Sequence, residues 1–328
     1  MNLERNLDTQ LTPIEILIQS NVPLKDKNWF KTGGNARYFA QPTNAQELQQ
    51  ALAWGKENNC AVFMLGHGAN ILMSDDGFDG LVIQPCLQNI NIIEQDEHAL
   101  VTVGAGMSMH DLITFCLDNA LLGLEEFSGI PGTVGGSVYI NLHYFEFLLE
   151  QFLAHATVIH KETLVLEQVT REWFAFGYNQ SKLQAGNYYL VDATFKLKKA
   201  TALQAAFARG RHVEIIRHRE RKYPTQNTCG SFFRNFYPDE VTLISDGKKM
   251  IYVAYYLDKL GVKGQLSCGG AAVSYQHANM IVNRGDATSA DIIALARMMQ
   301  EMVRSNFGII PQPECRLIGF TEYPLVQS

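Results

Sequence analysis

Apolar residues along the first two hundred positions come in short runs closed by glycine, and between the runs they recur at helical spacing. Ala61-Val-Phe-Met-Leu65 predicts a buried strand that ends in Gly66-His-Gly-Ala-Asn70, and Gly80 to Ile83 and Leu100 to Val103 predict two more. Asn44 to Asn58 carries apolar positions at helical spacing behind an Asn cap, and Met107 to Ala120 predicts a second helix. Tyr188 to Leu197 reads as a further strand, with Lys198-Lys-Ala200 as a charged turn and a linker near 198–203. Strands alternating with helices indicate α/β or α+β architecture. Beyond the linker, Phe207 to Lys222 predicts a strongly basic helix. Thr288-Ser-Ala-Asp291 reads as a capping box that opens a helix over Ile292 to Phe307, closed by Gly308, and Leu317-Ile318 as a short strand. Internal repeats and low-complexity tracts are absent from the sequence.

Length and composition narrow this picture. With 328 residues, 47% hydrophobic and 18% charged, the chain reads as a well-packed globular protein of two domains. A formal net charge of -6 argues against nucleic acid as a partner. The basic run 207–222 therefore reads either as a solvated helix face or as a positive wall for an anionic ligand. No stretch reaches the ~18 apolar residues of a membrane span. Met1-Asn-Leu-Glu-Arg-Asn-Leu-Asp8 lacks the basic and apolar regions of a signal peptide, so a cytoplasmic location without a membrane partner is expected. The six cysteines form no C-x-x-C pair and read as reduced, buried thiols; the nine histidines include no H-E-x-x-H, so no metal site is expected.

Three turns carry closely spaced glycines, at 66–68, 104–106 and 132–136. None is a dinucleotide fingerprint, because both Gly66-His-Gly-Ala-Asn-Ile71 and Gly104-Ala-Gly-Met-Ser-Met109 lack the last glycine of G-x-G-x-x-G, and no P-loop pattern occurs. Glycine lets backbone N–H groups approach a ligand and form anion-binding nests, although glycine at a tight turn also serves plain geometry.

The order and wording of the blocks add more. Asn28-Trp-Phe-Lys-Thr-Gly-Gly-Asn-Ala-Arg37, Leu65-Gly-His-Gly-Ala-Asn-Ile-Leu-Met-Ser-Asp75 and Gly129-Ile-Pro-Gly-Thr-Val-Gly-Gly-Ser137 stand in sequence. Phe176-Gly-Tyr-Asn-Gln-Ser181, Gly230-Ser-Phe-Phe-Arg-Asn235, Tyr255 to Gly264, His277 to Asn283 and Pro313 to Gly319 follow in order. The series resembles the UDP-N-acetylenolpyruvoylglucosamine reductase (MurB) family over roughly residues 20–320. That resemblance implies an α+β fold: an FAD-binding domain of the vanillyl-alcohol-oxidase/PCMH type over residues 1–200, then a smaller MurB C-terminal-like substrate domain over 201–328. It implies FAD and NADPH as cofactors and a UDP-sugar as the small-molecule substrate, whose enolpyruvyl group is reduced in peptidoglycan precursor synthesis.

By the same resemblance, Gly66, His67, Gly68, Ala69 and Asn70, together with Gly132, Thr133, Gly135, Gly136 and Ser137, would wrap the FAD diphosphate and flank its ring. Arg316 would sit close to the flavin. Ser231 matches the family's proton donor, Glu314 the carboxylate opposite it, and Tyr178 stands with them. Tyr178, Lys222, Asn235 and His277 fall where the family contacts the UDP diphosphate and neighbouring groups.

Two departures stand out. After Phe-Gly-Tyr the family pattern has arginine and this chain has Asn179, which can hydrogen-bond but cannot neutralise an anion. After Gly-Gly-Ser the family continues with small residues, whereas this chain has Asn141-Leu-His-Tyr-Phe-Glu-Phe-Leu-Leu-Glu-Gln-Phe-Leu153. Phe145, Leu149 and Phe152 share one helical face, which predicts an aromatic helix packed over or near the flavin. Besides a working reductase, these departures leave open a paralogue acting on another nucleotide-linked alkene, and an FAD-binding protein without turnover.

Overall fold

Local signals set the helices where the sequence expects them. In the computed structural model, which describes residues 16–327, α1 spans Ala45–Glu57 and Asn44 accepts a hydrogen bond from the Glu47 N–H. Ser108 caps α2 (Met109–Asp118) in the same way through Asp111. Thr133 caps the short α3 (Val134–Tyr139). Residues 1–8, where no signal-peptide pattern occurs, lie outside the described residues.

The first sheet uses β1 (Gln19–Pro23), β2 (Asn35–Ala40), β3 (Ala61–Met64) and β5 (Phe78–Ile83), in the order β1-β2-β5-β3. β4 (Ile71–Met73) stands apart from it, just after the Gly66–Asn70 turn. The second sheet is antiparallel, built from β6 (Ile90–Glu94), β7 (His98–Gly104), β11 (Leu153–His160), β12 (Leu166–Thr170) and β13 (Tyr188–Lys199). β8 (Leu121–Leu122) joins it on β13, while β9 (His143–Tyr144) and β10 (Phe147–Leu148) pair only with each other. β13 runs one step past the expected charged turn, because Lys199 is held in line by an ion pair with Glu94 at 2.7 Å. Val101, Val103, Ala156, Val158, Ala193 and Phe195 point inward from this sheet against Leu112, Ile113 and Val138 of α2 and α3.

Helix α4 (Ala202–Lys222) follows, opened by a Thr201/Gln204 capping box. Its basic residues largely tie it to the first half of the chain: Arg209 donates to the Leu117 carbonyl at 2.9 Å, and Arg211 grips Glu126 through two bonds of 3.1 and 3.0 Å.

The last third adds the hairpin β14 (Ile244–Ser245) and β15 (Lys248–Lys249), α5 (Val253–Lys259), and the antiparallel strands β16 (Ser267–Cys268), β17 (Ala271–Val273) and β18 (Ile281–Asn283). α6 (Ser289–Phe307) has the expected Thr288/Asp291 capping box and ends at left-handed Gly308. Phe232, Phe233, Tyr256, Leu257, Ile292, Leu295 and Met299 form the core of this part.

Two connections return the last third to the first. β19 (Arg316–Ile318) pairs parallel with β4, Arg316 opposite Ile71. The Asp75 carboxylate accepts from the first-turn N–H groups of Ser289 and Ala290 at 3.0 and 3.2 Å, and its own N–H donates to Ser289 Oγ at 2.9 Å. Asp75→Ala is expected to cost about 1–2 kcal/mol in urea unfolding, the range for a lost helix cap. Asp76→Ala, whose side chain takes no part in this cap, should change stability by less than about 0.5 kcal/mol. Equal effects would contradict the assignment.

Candidate active site

A cavity of about 1020 Å³ opens where the glycine turns, the 139–146 segment, the 178–179 turn and the last third of the chain converge. Every residue expected to hold the cofactor lines it, and so do Tyr178, Ser231, Asn235, His277 and Glu314. Lys222 does not; it stands exposed at the end of α4 with Nζ 5.4 Å from the Tyr223 ring. Its charge still reaches the cavity wall, where it helps to lower the His277 pKa. The last helical turn directs Arg219 inward instead, where its Nε donates to the Gly129 carbonyl at 3.1 Å. Its guanidinium lies 5.5 Å from the Tyr144 ring and 5.1 Å from the Tyr223 ring. Burial pulls the Arg219 pKa down and the two tyrosines push it back up. Arg219 was not singled out from sequence, although its place one turn before Lys222 on a basic helix was the available signal.

The 66–70 loop has a definite polarity. Its carbonyls are held by protein donors: Gly66 O by Gln84 Nε2, Gly68 O by the Trp29 N–H and Asn70 O by the Arg316 N–H, each at 3.1 Å. Its five consecutive backbone N–H groups, from Gly66 to Asn70, donate to nothing among the described residues. Clustered amides of this kind form a nest for an anion. Close packing explains the glycines, since a Cβ on Gly68 would lie 2.6 Å from Asn28 Cα at a φ of +66°. On Gly66 it would lie 2.6 Å from Thr133 Oγ1.

The other two glycine turns differ. Gly104, Ala105 and Gly106 donate to the Asn89, Val191 and Leu87 carbonyls at 2.8–3.0 Å. Gly135 donates to Ala105 O, Gly136 to Thr133 Oγ1 and Ser137 to Thr133 O. Expectation assigned the whole 132–137 turn as donors; in the fold only the Gly132 and Thr133 N–H groups are left free among the described residues, and the rest shape the wall. Arg316 spans the other side, its guanidinium 4.7 Å from the Tyr139 ring and 5.9 Å from that of Phe63.

Ser231 and Glu314, 83 positions apart, come together through backbone pairing. The Glu314 N–H donates to Phe232 O at 2.9 Å, Phe233 bridges Pro313 and Ser231 bridges Met280. Asn279, itself buried, clamps the segment by donating from Nδ2 to Phe233 O (2.7 Å) and accepting from the Phe233 N–H (3.1 Å). Protein closes round Glu314 while its side chain keeps access to the cavity, and burial pushes its carboxyl up to about 7. Asn179 lies near enough to pull that value partway back, yet both of its amide atoms are buried without a hydrogen bond of normal geometry. Tyr178 keeps 37% of its surface exposed, but burial and then Glu314 push its phenol up to about 12, against the pull of Asn235. His277 is brought down to about 4, by burial first and then by Lys222 and Lys263.

The aromatic helix expected over 141–153 is not formed. β9 and β10 make a tight hairpin with Tyr144 opposite Phe147 and His143 opposite Leu148, followed by a 3-10 turn at Leu149–Gln151. Asn141 adopts a φ of +48°, which ends α3, and its side chain donates to Glu150 and accepts from the Glu150 N–H. Phe145, at φ +52° on the hairpin tip, is 72% exposed, whereas Leu149 is buried and Phe152 packs edge-on against Phe127.

Amides left free along one loop, a cavity of flavin size and a neutralised carboxyl at its end define a flavoprotein, with an FAD-binding domain followed by an α+β C-terminal domain. The FAD binding domain family model matches residues 36–159, and that of the UDP-N-acetylenolpyruvoylglucosamine reductase C-terminal domain matches 222–318. The chain is 31% identical over 317 residues to the reductase of that name from Listeria monocytogenes serotype 4a, covering 96% of this chain and 98% of the relative. It is 33% identical over 306 residues to that from Trichormus variabilis, covering 92% and 86%. The chain belongs to the UDP-N-acetylenolpyruvoylglucosamine reductase family. The crystal structure of MurB from Thermus caldophilus superposes with a TM-score of 0.74 at 25% identity, covering 93% of this chain and 99% of the other. The expected order, an FAD-binding domain followed by a MurB C-terminal domain, is the one found.

Two measurements check the site. Gly68→Ala should lower stability by about 1–3 kcal/mol, the cost of a strained left-handed position, and should lower the flavin absorbance retained on purification; unchanged flavin content would contradict the cradle. For Glu314, the folded protein keeps its proton up to about pH 7 while the unfolded chain releases it near 4.5. The stability this contributes is complete below that lower value and is lost as pH rises through about 7. Glu314→Gln should therefore gain urea stability relative to wild type between pH 4.5 and 8, and a flat difference would show that the carboxyl is not held neutral.

Proposed function

We propose that the protein reduces the enolpyruvyl group of UDP-N-acetylglucosamine enolpyruvate to give UDP-N-acetylmuramate, with NADPH as reductant, in the cytoplasm. The observation that carries this reading is the pairing of Ser231 with a raised-pKa Glu314 at one end of a cavity whose other wall is the free-amide loop 66–70. Bound FAD, reduced by NADPH, supplies hydride to the vinyl carbon. The chain's own residues handle binding and the proton.

The N–H groups of Gly66 to Asn70 hold the diphosphate of the cofactor, where a side chain on Gly66 or Gly68 would collide with its neighbours. Ser231 Oγ delivers a proton to the carbon next to the one that accepts hydride. Glu314, whose carboxyl burial pushes up to about 7, keeps a protonated fraction at neutral pH that can hydrogen-bond to the developing enolate without adding a like charge. Tyr178, Asn235 and His277 line the approach for the nucleotide diphosphate. Tyr178 stays a protonated donor, since its phenol titrates at about 12, and His277 stays neutral and hydrogen-bonds without charge. Arg219 supplies positive charge from the wall there, and Lys222 adds to it from the end of α4 beside His277. We place the boundary between an FAD-binding domain (1–200) and a substrate domain (201–328) at the turn before α4, a helix that also packs against the first half.

Steady-state NADPH oxidation by FAD-loaded protein should be stimulated by UDP-N-acetylglucosamine enolpyruvate; no stimulation removes the reading. In the Ser231→Ala variant, substrate reduction should fall by about 100-fold or more, the scale of a lost acid group, while flavin reduction by NADPH stays at the wild-type rate. Equal loss of both half-reactions would contradict the role of Ser231.

A further inference from the structure

The two stretches that depart from the family pattern lie far apart in sequence and meet in the fold. Asn141 Nδ2 donates to the Gly177 carbonyl at 3.2 Å, which ties the base of the β9–β10 hairpin to the turn that carries Asn179. One step along the hairpin, the His143 ring lies 4.9 Å from the Tyr178 ring, centroid to centroid. From the other flank Gln184 Nε2 donates to Asn179 O at 2.8 Å, and Ser181 Oγ to Tyr139 O at 2.7 Å. The hairpin and the 177–181 turn are therefore one braced unit.

Both His143 and Asn179 line the cavity that holds Glu314 and Ser231. Their polar ends lack protein partners. Asn179 Nδ2 and Oδ1 are buried and unpaired. His143 is perturbed by burial alone, with no hydrogen bond to either ring nitrogen. Native structures seldom leave a buried amide unpaired unless a ligand completes it, and the half-buried His143 ring stands beside it with its nitrogens open to the cavity. Asn179 sits at a φ of +54°, so the backbone itself is committed to presenting this side chain.

The chemistry of the missing partner follows from the donors. An amide N–H and an imidazole N–H approach from two adjoining elements, an arrangement that suits the two oxygens of a carboxylate. Burial shifts Glu314 toward its uncharged form, which weakens its repulsion of an anion placed there, and Arg219 and Arg316 supply positive potential from the walls.

We infer that His143 and Asn179 form the docking pair for the carboxylate of the substrate, the histidine of the hairpin taking over part of the anion binding at the position where the family pattern has arginine. This rests on the reductase reading above and adds to it a specificity-determining residue from the chain's own hairpin. The carboxylate sits next to the carbon that must be protonated, so this pair sets the distance between substrate and Ser231.

The test is steady-state and anaerobic half-reaction kinetics on FAD-loaded wild type, His143→Ala, His143→Gln, Asn179→Arg and the His143→Ala/Asn179→Arg double variant. His143→Ala should raise KM for UDP-N-acetylglucosamine enolpyruvate by about tenfold or more, the loss of one charge-assisted hydrogen bond. Flavin content and the rate of flavin reduction by NADPH should not change. His143→Gln, which keeps an N–H donor, should fall between. Asn179→Arg should restore KM in the His143→Ala background, where the guanidinium has room, and should give no gain in wild type. Unchanged KM in both His143 variants of a working enzyme overturns the pairing and leaves the reductase reading intact. So does loss of flavin or equal loss of both half-reactions, which would make His143 a packing residue, and so does a large gain from Asn179→Arg alone. Wild type that never reduces this substrate overturns both.

Discussion

Three carbonyls on one loop are spoken for by distant donors, and the rest of the site follows from that. Gln84, Trp29 and Arg316 hold the oxygens of Gly66, Gly68 and Asn70, so the N–H groups across the same peptide planes, those of His67 and Ala69 within the loop, point away from these donors. A peptide has one donor side and one acceptor side, and fixing the acceptors fixes where the donors point. Five amides without protein acceptors among the described residues are free to donate to an anion in the cavity. The glycines are needed because the loop lies against Asn28 on one side and Thr133 on the other, with no volume for a Cβ.

One of those three donors links the loop to the chemistry. Arg316 N reaches Asn70 O as part of the β4–β19 pairing, and Glu314 lies two residues earlier on the same segment. Glu314 in turn donates to Phe232, the neighbour of Ser231, and Asn279 clamps Phe233 from behind. The diphosphate cradle, the carboxyl and the serine are thus joined by consecutive backbone hydrogen bonds instead of by flexible side chains. Sites built on paired backbone hold their geometry more closely than sites on free loops. The segment that positions the acid runs directly into β19, the strand that pairs with β4.

What could be read from sequence divides along the same physical line. Caps at Asn44, Ser108 and Thr288 and the stop at Gly308 act within a few residues, and helices stand where those signals place them. The meeting of Ser231 with Glu314 was legible only through the wording of whole motifs, because the 82 intervening positions carry no local trace of it. Which glycine turn keeps its amides free was not legible from the glycine spacing, and only the family resemblance set 66–70 and 132–137 apart from 104–106. The turns at 66–68 and 104–106 share the pattern Gly-x-Gly, yet the amides of the second are consumed by Asn89, Val191 and Leu87. The 141–153 segment misled because Phe145, Leu149 and Phe152 fall at helical spacing by coincidence. A left-handed Asn141 and its bonds to Glu150 decide for a hairpin, and those bonds are invisible to a periodicity argument. Arg219 and Lys222 differ by less than one helical turn, and only the packing of α4 tells which of them faces inward.

Hydrogen–deuterium exchange on flavin-free and FAD-loaded protein, resolved to individual amides, tests the cradle most directly. The amides of Gly66 to Asn70 should exchange rapidly in the flavin-free protein and become protected when FAD is added, whereas those of Gly104 to Gly106 should be protected in both. Loop amides that stay fast in the holoprotein, or protection that appears at 104–106 instead, would contradict the account.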